Sequence, residues 1–406
     1  MPDRAIAPAP RRASWMLLLG ILLIAANLRP SITAVGPVLD DIRSSLQLSS
    51  GVASVLISIP LVAFGLFSPV APWISRRLGL EGSLAAALGV LAVAIVTRSL
   101  PWTPALWIGT ALLGAAIAVM NVVLPSLVKR DYPDRVGQIT GLYAAVLSAV
   151  AAIAAGLAVP IAGVAHDGWR LSLGIWAGLA LVGVAVLAPR VRRPAGMSTE
   201  AALPDESSSG RAPRPYRSPW TSALGWQVTL FMAVQSTVYF TLITWLPSIE
   251  QSTGISAADA GFHQFLLNTA GIAGSLLTAA AIHRGAGDQR AVAVAVAVLI
   301  AIGVAGEIAV PSLSALWVCV MGLGTGGSIA LALSLFALRA GHHRQATELS
   351  GMAQSVGYLL AAAGPVGIGI LHDGTNSWTT ALVALLVLLV AQLVLSALAA
   401  RNRVIG

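Results

Sequence analysis

Residues 15–39 read WMLLLGILLIAANLRPSITAVGPVL, an apolar run with a single charged side chain, Arg29, past its middle. A helix needs about 20 apolar residues to cross a hydrocarbon layer ~30 Å thick, so this run is long enough to span a membrane. A guanidinium there cannot escape by losing its proton, because it stays charged in proteins. In a water-soluble domain Arg29 could turn to the surface and mean little. The surrounding solvent decides what it signifies.

The whole chain supplies that solvent. Of 406 residues, 57% are hydrophobic and 10% are charged, against roughly 45–50% and 25% in soluble domains. After the first run, at 15–37, others follow at 52–72, 82–100, 104–128, 137–162, 169–189, 220–248, 257–282, 291–309, 311–338, 347–370 and 376–399. They predict an all-α membrane protein of twelve transmembrane helices, with both termini on one side. Arg11 and Arg12 ahead of the first run resemble the start of a signal peptide. The run is longer than an h-region and many like it follow, so it reads as a retained first span.

Charge placement tests the count independently. Of 24 Lys and Arg residues, all but four lie at the termini or in the even-numbered gaps, at Arg76–Arg77, Lys129–Arg130, Arg190 to Arg217, Arg284–Arg290 and Arg339–Arg344. Arg43, Arg98 and Arg170 fall in odd gaps, and Arg29 lies inside a span. The excess of positive charge puts both termini in the cytoplasm and the chain, multi-pass, in the cytoplasmic (inner) membrane. The net charge of +8 is therefore topology rather than a nucleic-acid footprint. Trp15, Trp73, Trp102, Trp169, Trp220 and Trp378 stand at span ends, as an aromatic belt would place them. The single Cys319 excludes an internal disulfide and a Cys-cluster metal site.

The longest hydrophilic stretch runs from Arg190 to Ser218, rich in Pro, Ser and Arg, and reads as a flexible cytoplasmic linker. It divides the chain into an N-terminal six-helix half, 1–189, and a C-terminal six-helix half, 219–406, with 190–218 between them. The halves look like distant copies. GVAHDGWR (Gly163–Arg170) is matched by GILHDGTNSW (Gly369–Trp378), and GQITGLYAAV by TELSGMAQSV, with Gly141 and Gly351 210 residues apart. Such repeats suggest a duplicated transporter that binds its substrate between the halves. The repeated His-Asp-Gly, at His166 and His372, reads as helix punctuation, Asp capping and Gly turning, rather than as a metal or proton site.

Twelve spans, a basic central loop and a six-plus-six duplication resemble the major facilitator superfamily. Between spans two and three that superfamily carries a Gly-x-x-x-Asp-Arg-x-Gly-Arg-type motif. APWISRRLGL keeps Arg77, Leu78 and Gly79 of it, with Arg76 where the acid belongs. NLRPSITAVGPVLDDI, VLPSLVKRDYPDRVGQITGLY and QSTVYFTLITWLPSI resemble the cyanate and 2-nitroimidazole transporter family over nearly the whole chain. The resemblance implies the major facilitator fold, two six-helix halves related by a pseudo-two-fold axis. It also implies a cavity lined by spans one, four, seven and ten, with contributions from five, eight and eleven.

Arg29 is the one Lys, Arg, Asp or Glu well inside a predicted span, where insertion costs about 2.5–3.5 kcal/mol. It must face the bundle interior, where a forked donor pair can receive an anion or a polarised carbonyl. The alternative is a structural Arg satisfied by backbone carbonyls or by Asn27. Helical spacing adds further candidates for substrate binding: Gln264 and Asn268 on span eight, Gln235 and Tyr239 on span seven, Gln354 and Tyr358 on span eleven, Asn121 on span four and Tyr143 on span five. Each could equally glue helices together. His263 and Glu307 are the candidates for proton coupling. Glu307 and Glu250 are expected toward span ends, leaving no acid to pair with Arg29. Gly174 and Gly178, and Gly322 and Gly326, form GxxxG pairs that predict close helix packing.

GLGTGG at 322–327 matches GxGxxG but opens no strand–helix unit, and no GxxxxGK[ST], HExxH or nucleophile–base pair is present. No cofactor is expected, and neither ATP hydrolysis nor another enzymatic activity. What remains is a secondary transporter, working as a monomer by alternating access, for a cyanate-like anion or a nitroimidazole-like heterocycle. Drug/proton antiport and a non-transporting membrane sensor are the alternatives. The cavity acid that cation extruders often use is not expected here, and no signalling domain is attached.

Overall fold

The computed structural model describes residues 11–132, 136–191, 217–284, 288–341 and 343–405. Most of the expected linker, from 192 to 216, lies outside the described residues. Among the described residues all regular structure is helical. Twelve helices are long and apolar enough to cross a membrane: span 1 (Trp15–Leu46), span 2 (Ser50–Phe67), span 3 (Ala71–Arg98), span 4 (Thr103–Val128), span 5 (Leu142–Ala162), span 6 (Trp169–Pro189), span 7 (Ala223–Ser252), span 8 (Ala257–Ile282), span 9 (Arg290–Ala309), span 10 (Pro311–Phe336), span 11 (Glu348–Thr375) and span 12 (Trp378–Ala399).

Three boundaries differ from expectation for identifiable reasons. Span 1 does not stop near 37. It continues through a 3-10 turn at Gly36–Val38 into the helix Leu39–Leu46, whose first turn carries Asp40 and Asp41. Acids there suit the helix dipole, so the chain stays helical after its hydropathy has ended. Span 3 begins earlier than predicted because a short helical segment precedes a kink at Gly79, where φ is 72°. Span 7 runs on to Ser252, which brings Glu250 inside the helix. Among the span-end tryptophans, Trp15, Trp102 and Trp220 are exposed, but Trp169 is buried.

Small residues set the tightest contacts. A Cβ on Gly326 would stand 1.9 Å from the Gly271 carbonyl oxygen, and one on Gly322 2.4 Å from that of Leu267. Span 10 thus packs backbone to backbone on span 8, as the GxxxG pair predicts. Of the other pair, Gly174 abuts Ser99 and Gly178 meets nothing within 4 Å.

At the end of the bundle opposite the chain termini, the far end, the first six spans and the last six are drawn together. Gly36 of span 1 lies so close to span 7 that a Cβ would sit 2.0 Å from the Ile243 carbonyl oxygen. Asp373 of span 11 accepts the backbone N–H groups of Ser50 (3.2 Å) and Gly51 (2.9 Å) at the start of span 2. Gly156 and Gly261 bring spans 5 and 8 into contact beside Phe265 and Val159.

Candidate functional site

Span 1 is broken where its charge sits. The first helical stretch is Arg11–Asn27 and the next is Pro30–Thr33, with Leu28 and Arg29 between them. Pro30 has no N–H and its ring collides with the carbonyl one turn back, so the helix cannot run through it. Arg29 takes φ −124° and ψ −36° as the residue before the new helix. Its carbonyl is well used, accepting the N–H groups of Ile32 (2.9 Å) and Thr33 (3.0 Å). Arg98 supports the break from behind, donating from Nη1 to the Ser31 carbonyl at 2.7 Å. Arg98 was expected in a gap between spans. Instead it ends span 3 as a fully buried side chain, so Arg29 is not the only guanidinium inside the bundle. Its length lets the charge reach back from the helix end to the interior.

The Arg29 side chain is half-buried and makes no hydrogen bond or ion pair among the described residues. Its guanidinium carbon stands 5.8 Å from the centre of the Phe240 ring. An aromatic wall spreads from there. Phe240 and Tyr239 meet edge to face at 5.3 Å, Phe240 and Tyr358 at 6.3 Å, and Phe64 and Tyr358 at 5.5 Å. The Tyr239 hydroxyl donates to Asn268 Oδ1 at 3.3 Å, and Asn268 Nδ2 donates to the Gln264 carbonyl. Spans 1, 2, 7, 8 and 11 therefore converge on one cation, four aromatic rings that spread from it and a polar edge. Such a site offers forked donors for an anionic or nitro group and, through the half-buried Tyr239 and Tyr358, ring surface for a planar ligand, Phe240 and Phe64 being themselves buried.

The other candidates divide. Gln354 lies one turn before Tyr358 on span 11 and donates to Ser350 Oγ at 2.8 Å. Gln264 is buried and donates to the Leu242 carbonyl, tying span 8 to span 7. Asn121 is exposed on span 4, and Tyr143 is half-buried on span 5. Two residues are turned to other uses. Asn27 donates to the carbonyls of Leu23 (2.8 Å) and Leu179 (3.3 Å), gluing span 1 to span 6. Gln235 is buried against Ser236 and Met232 of its own helix. Phe240 and Phe64 were missed because a phenylalanine in an apolar span carries no polar signature.

Glu250 and Glu307 lie toward their span ends as expected and do not pair with Arg29, but they are buried there rather than exposed. Glu250 is 0% exposed and Glu307 is 2% exposed, and both bond to Ser314 at the start of span 10. His263 stands with Nδ1 at 2.7 Å from Glu250 Oε1. These groups sit at the far ends of spans 7, 8, 9 and 10. Asp373 caps a helix, as the reading of His-Asp-Gly as punctuation has it, but that helix is not the one that follows it in the chain. Span 12 is capped by Ser377, and Asp373 caps span 2 across the interface.

The Major Facilitator Superfamily family model matches residues 17–365. The chain belongs to that superfamily. A 2-nitroimidazole transporter of Escherichia coli is 40% identical over 380 residues, 93% of this chain and 93% of that protein. The cyanate transport protein CynX of Escherichia coli is 30% identical over 366 residues, 89% of this chain and 91% of its own length. Among solved structures, a bacterial homologue of the human lysosomal transporter Spinster, inward-facing and unoccupied, superposes with a TM-score of 0.75 at 15% identity, covering 97% of this chain and 98% of that one. This member is thus a multi-pass membrane protein related to transporters of small molecules.

Arg76, in the first part of span 3, stands where the superfamily motif has its acid. The structure supplies a carboxylate from Glu81, two residues after Gly79, which pairs with Arg130 at the end of span 4. Arg130 also donates to Asp131. Arg77 lies over the Trp73 ring at 4.4 Å.

Proposed function

We propose that the protein is a secondary transporter that carries a small polar or anionic solute across the cytoplasmic membrane by alternating access. The solute is of the cyanate-like or nitroimidazole-like class. One observation carries this reading: Arg29, held in a broken helix beside Phe240 and Tyr239, has donors that no described protein group accepts. A linear anion or a nitro group would take the guanidinium fork, and a planar ring would lie against the aromatic wall. The relatives that carry cyanate and 2-nitroimidazole support both choices.

On the same reading the two halves, 1–189 and 219–406, rock about this site, with both termini and the linker 190–218 in the cytoplasm. The contacts at Gly36 and Asp373 then close the outer side, so the site opens inward. The protein works as a monomer, binds no nucleic acid and catalyses no reaction. Protons drive it, with His263 and Glu307 as titrating groups.

Solute exchange across proteoliposomes tests the reading. Vesicles loaded with cyanate or 2-nitroimidazole should draw in the labelled solute through wild type and lose that exchange with Arg29→Ala. Exchange of lipophilic cations regardless of Arg29 would overturn it in favour of drug efflux.

A further inference from the structure

Four helices meet at Glu250. Ser314 Oγ bonds Glu250 Oε1 and also lies 3.0 Å from Glu307 Oε2, so one hydroxyl serves two carboxyl groups. A serine hydroxyl has one proton to give. If it donates to one carboxylate, the other contact holds only when that carboxyl carries the proton. The outer oxygens point the same way: Glu250 Oε2 and Glu307 Oε1 are sealed from solvent and have no partner. A buried carboxylate without donors is costly, and two sharing a site repel each other when both are ionised. The charged groups facing them are the His263 imidazole and, one turn earlier on span 8, Asp259, which adds negative charge. His263, with a side chain 12% exposed, is the member that reaches toward solvent.

We propose that Glu250, Ser314, Glu307 and His263 form a binding site for one exchangeable proton, shared by the two carboxyl groups through the serine and exchanged with solution through the imidazole. His263 takes a proton on Nε2 and releases the one on Nδ1 to Glu250 Oε1. Ser314 accepts that proton as it passes its own to Glu307 Oε2, and each group regains its starting bonding when the proton returns. Span 7 connects this site to the gate. Seven residues before Glu250, the Ile243 carbonyl is the surface against which Gly36 closes the far end. Loading and unloading the proton therefore changes the charge holding the outer part of span 7 to spans 8, 9 and 10. The consequence for solute movement rests on the transport reading above; the proton site itself does not.

Infrared difference spectroscopy on the purified full chain reads the proton directly. Wild type at neutral pH should show a protonated-carboxyl C=O stretch that shifts in D2O, and Glu250→Gln and Glu307→Gln should each lose it. Ser314→Ala keeps both acids and should shift the band by removing the shared hydroxyl. Wild type lacking the band from mildly acidic to alkaline pH, or a band that survives both Gln variants, would overturn the site, and the wild-type test needs no variant to fold. In proteoliposomes, pH-gradient-driven accumulation of 2-nitroimidazole should be lost in Glu307→Gln; undiminished accumulation would overturn the coupling. Arg29→Lys should lose solute transport yet keep the infrared band. Failure of wild type to move 2-nitroimidazole would count against the solute reading, with the infrared result still deciding the proton.

Discussion

A guanidinium inside a bundle persists when something accepts from its five N–H donors. Arg29 and Arg98 differ in how far that demand is met. Arg98 gives Nη1 to the Ser31 carbonyl and lies against Gly109, while its buried Nε and Nη2 have no partner among the described residues. Arg29 faces the aromatic wall, and no described protein group accepts from its donors. Arg98→Met should therefore leave the Ser31 carbonyl without its partner and lower stability by about 1–3 kcal/mol, read as a fall in melting temperature in detergent. An unchanged melting temperature would remove Arg98 as the support of the break. Arg29 was legible in the sequence because it is the one charge within its apolar run. Arg98 and Glu250 were not, since hydropathy locates the end of an apolar run while their side chains turn back inside from helices that end there or run on. Asn27 and Gln235 show the converse, polar residues at plausible spacing that serve helix contacts.

Pro30 and the His-Asp-Gly motifs act at the scale of the element. The motifs land on either side of the turn between spans 1 and 2, with different effect: Asp167 accepts from Ser45 Oγ at the end of span 1 (2.9 Å) within the first six spans, whereas Asp373 reaches across from span 11 to cap span 2. His372 stacks on Trp378 at 3.8 Å beside it. A cap is worth about 1 kcal/mol, and this one exists only while the far end is closed. Asp373→Ala should favour opening there about fivefold, measured as faster thiol labelling of Ser54→Cys from the outer side in a Cys319→Ala background. Equal rates would show that the cap does not hold the gate. Close packing of spans 8 and 10 gives a second expectation. Gly326→Val has no room against the Gly271 carbonyl and should abolish the folded protein, seen as loss of the monodisperse peak on size exclusion. The repeat of the motif was readable from the sequence; which of its copies crosses the interface was not, because that depends on three-dimensional neighbours.

For the molecule as a whole, twelve spans and their order followed from apolar run length and the side bias of Lys and Arg, two signals the bilayer itself imposes. The composition of the cavity did not, because in a chain this apolar both lipid-facing and cavity-facing surfaces count as exposed. Span 4 illustrates the problem. Leu112 is 40% exposed and Asn121 is also exposed, nine residues further on, which places them about 180° apart around the helix. On the proposed reading, the Leu112 face meets lipid and the Asn121 face the space between the halves. Asn121→Cys in the Cys319→Ala background should react with a membrane-impermeant thiol reagent from the cytoplasmic side and be slowed by bound solute, while Leu112→Cys should stay inert. Equal reactivity would take Asn121 out of the cavity.

The central claim is that Arg29 receives the solute, and ligand-induced thermal stabilisation of purified protein, wild type beside Arg29→Lys, tests it most directly. The panel holds cyanate, nitrate, short carboxylates, 2-nitroimidazole and a few lipophilic cations. A ligand that binds only the folded state raises its stability by about 2.7 kcal/mol at a hundredfold excess over Kd. The predicted result is stabilisation of wild type by an anion or by 2-nitroimidazole, with most of it lost in Arg29→Lys, which keeps the charge but not the fork. The same stabilisation in Arg29→Lys, or stabilisation by the cations alone, would contradict it.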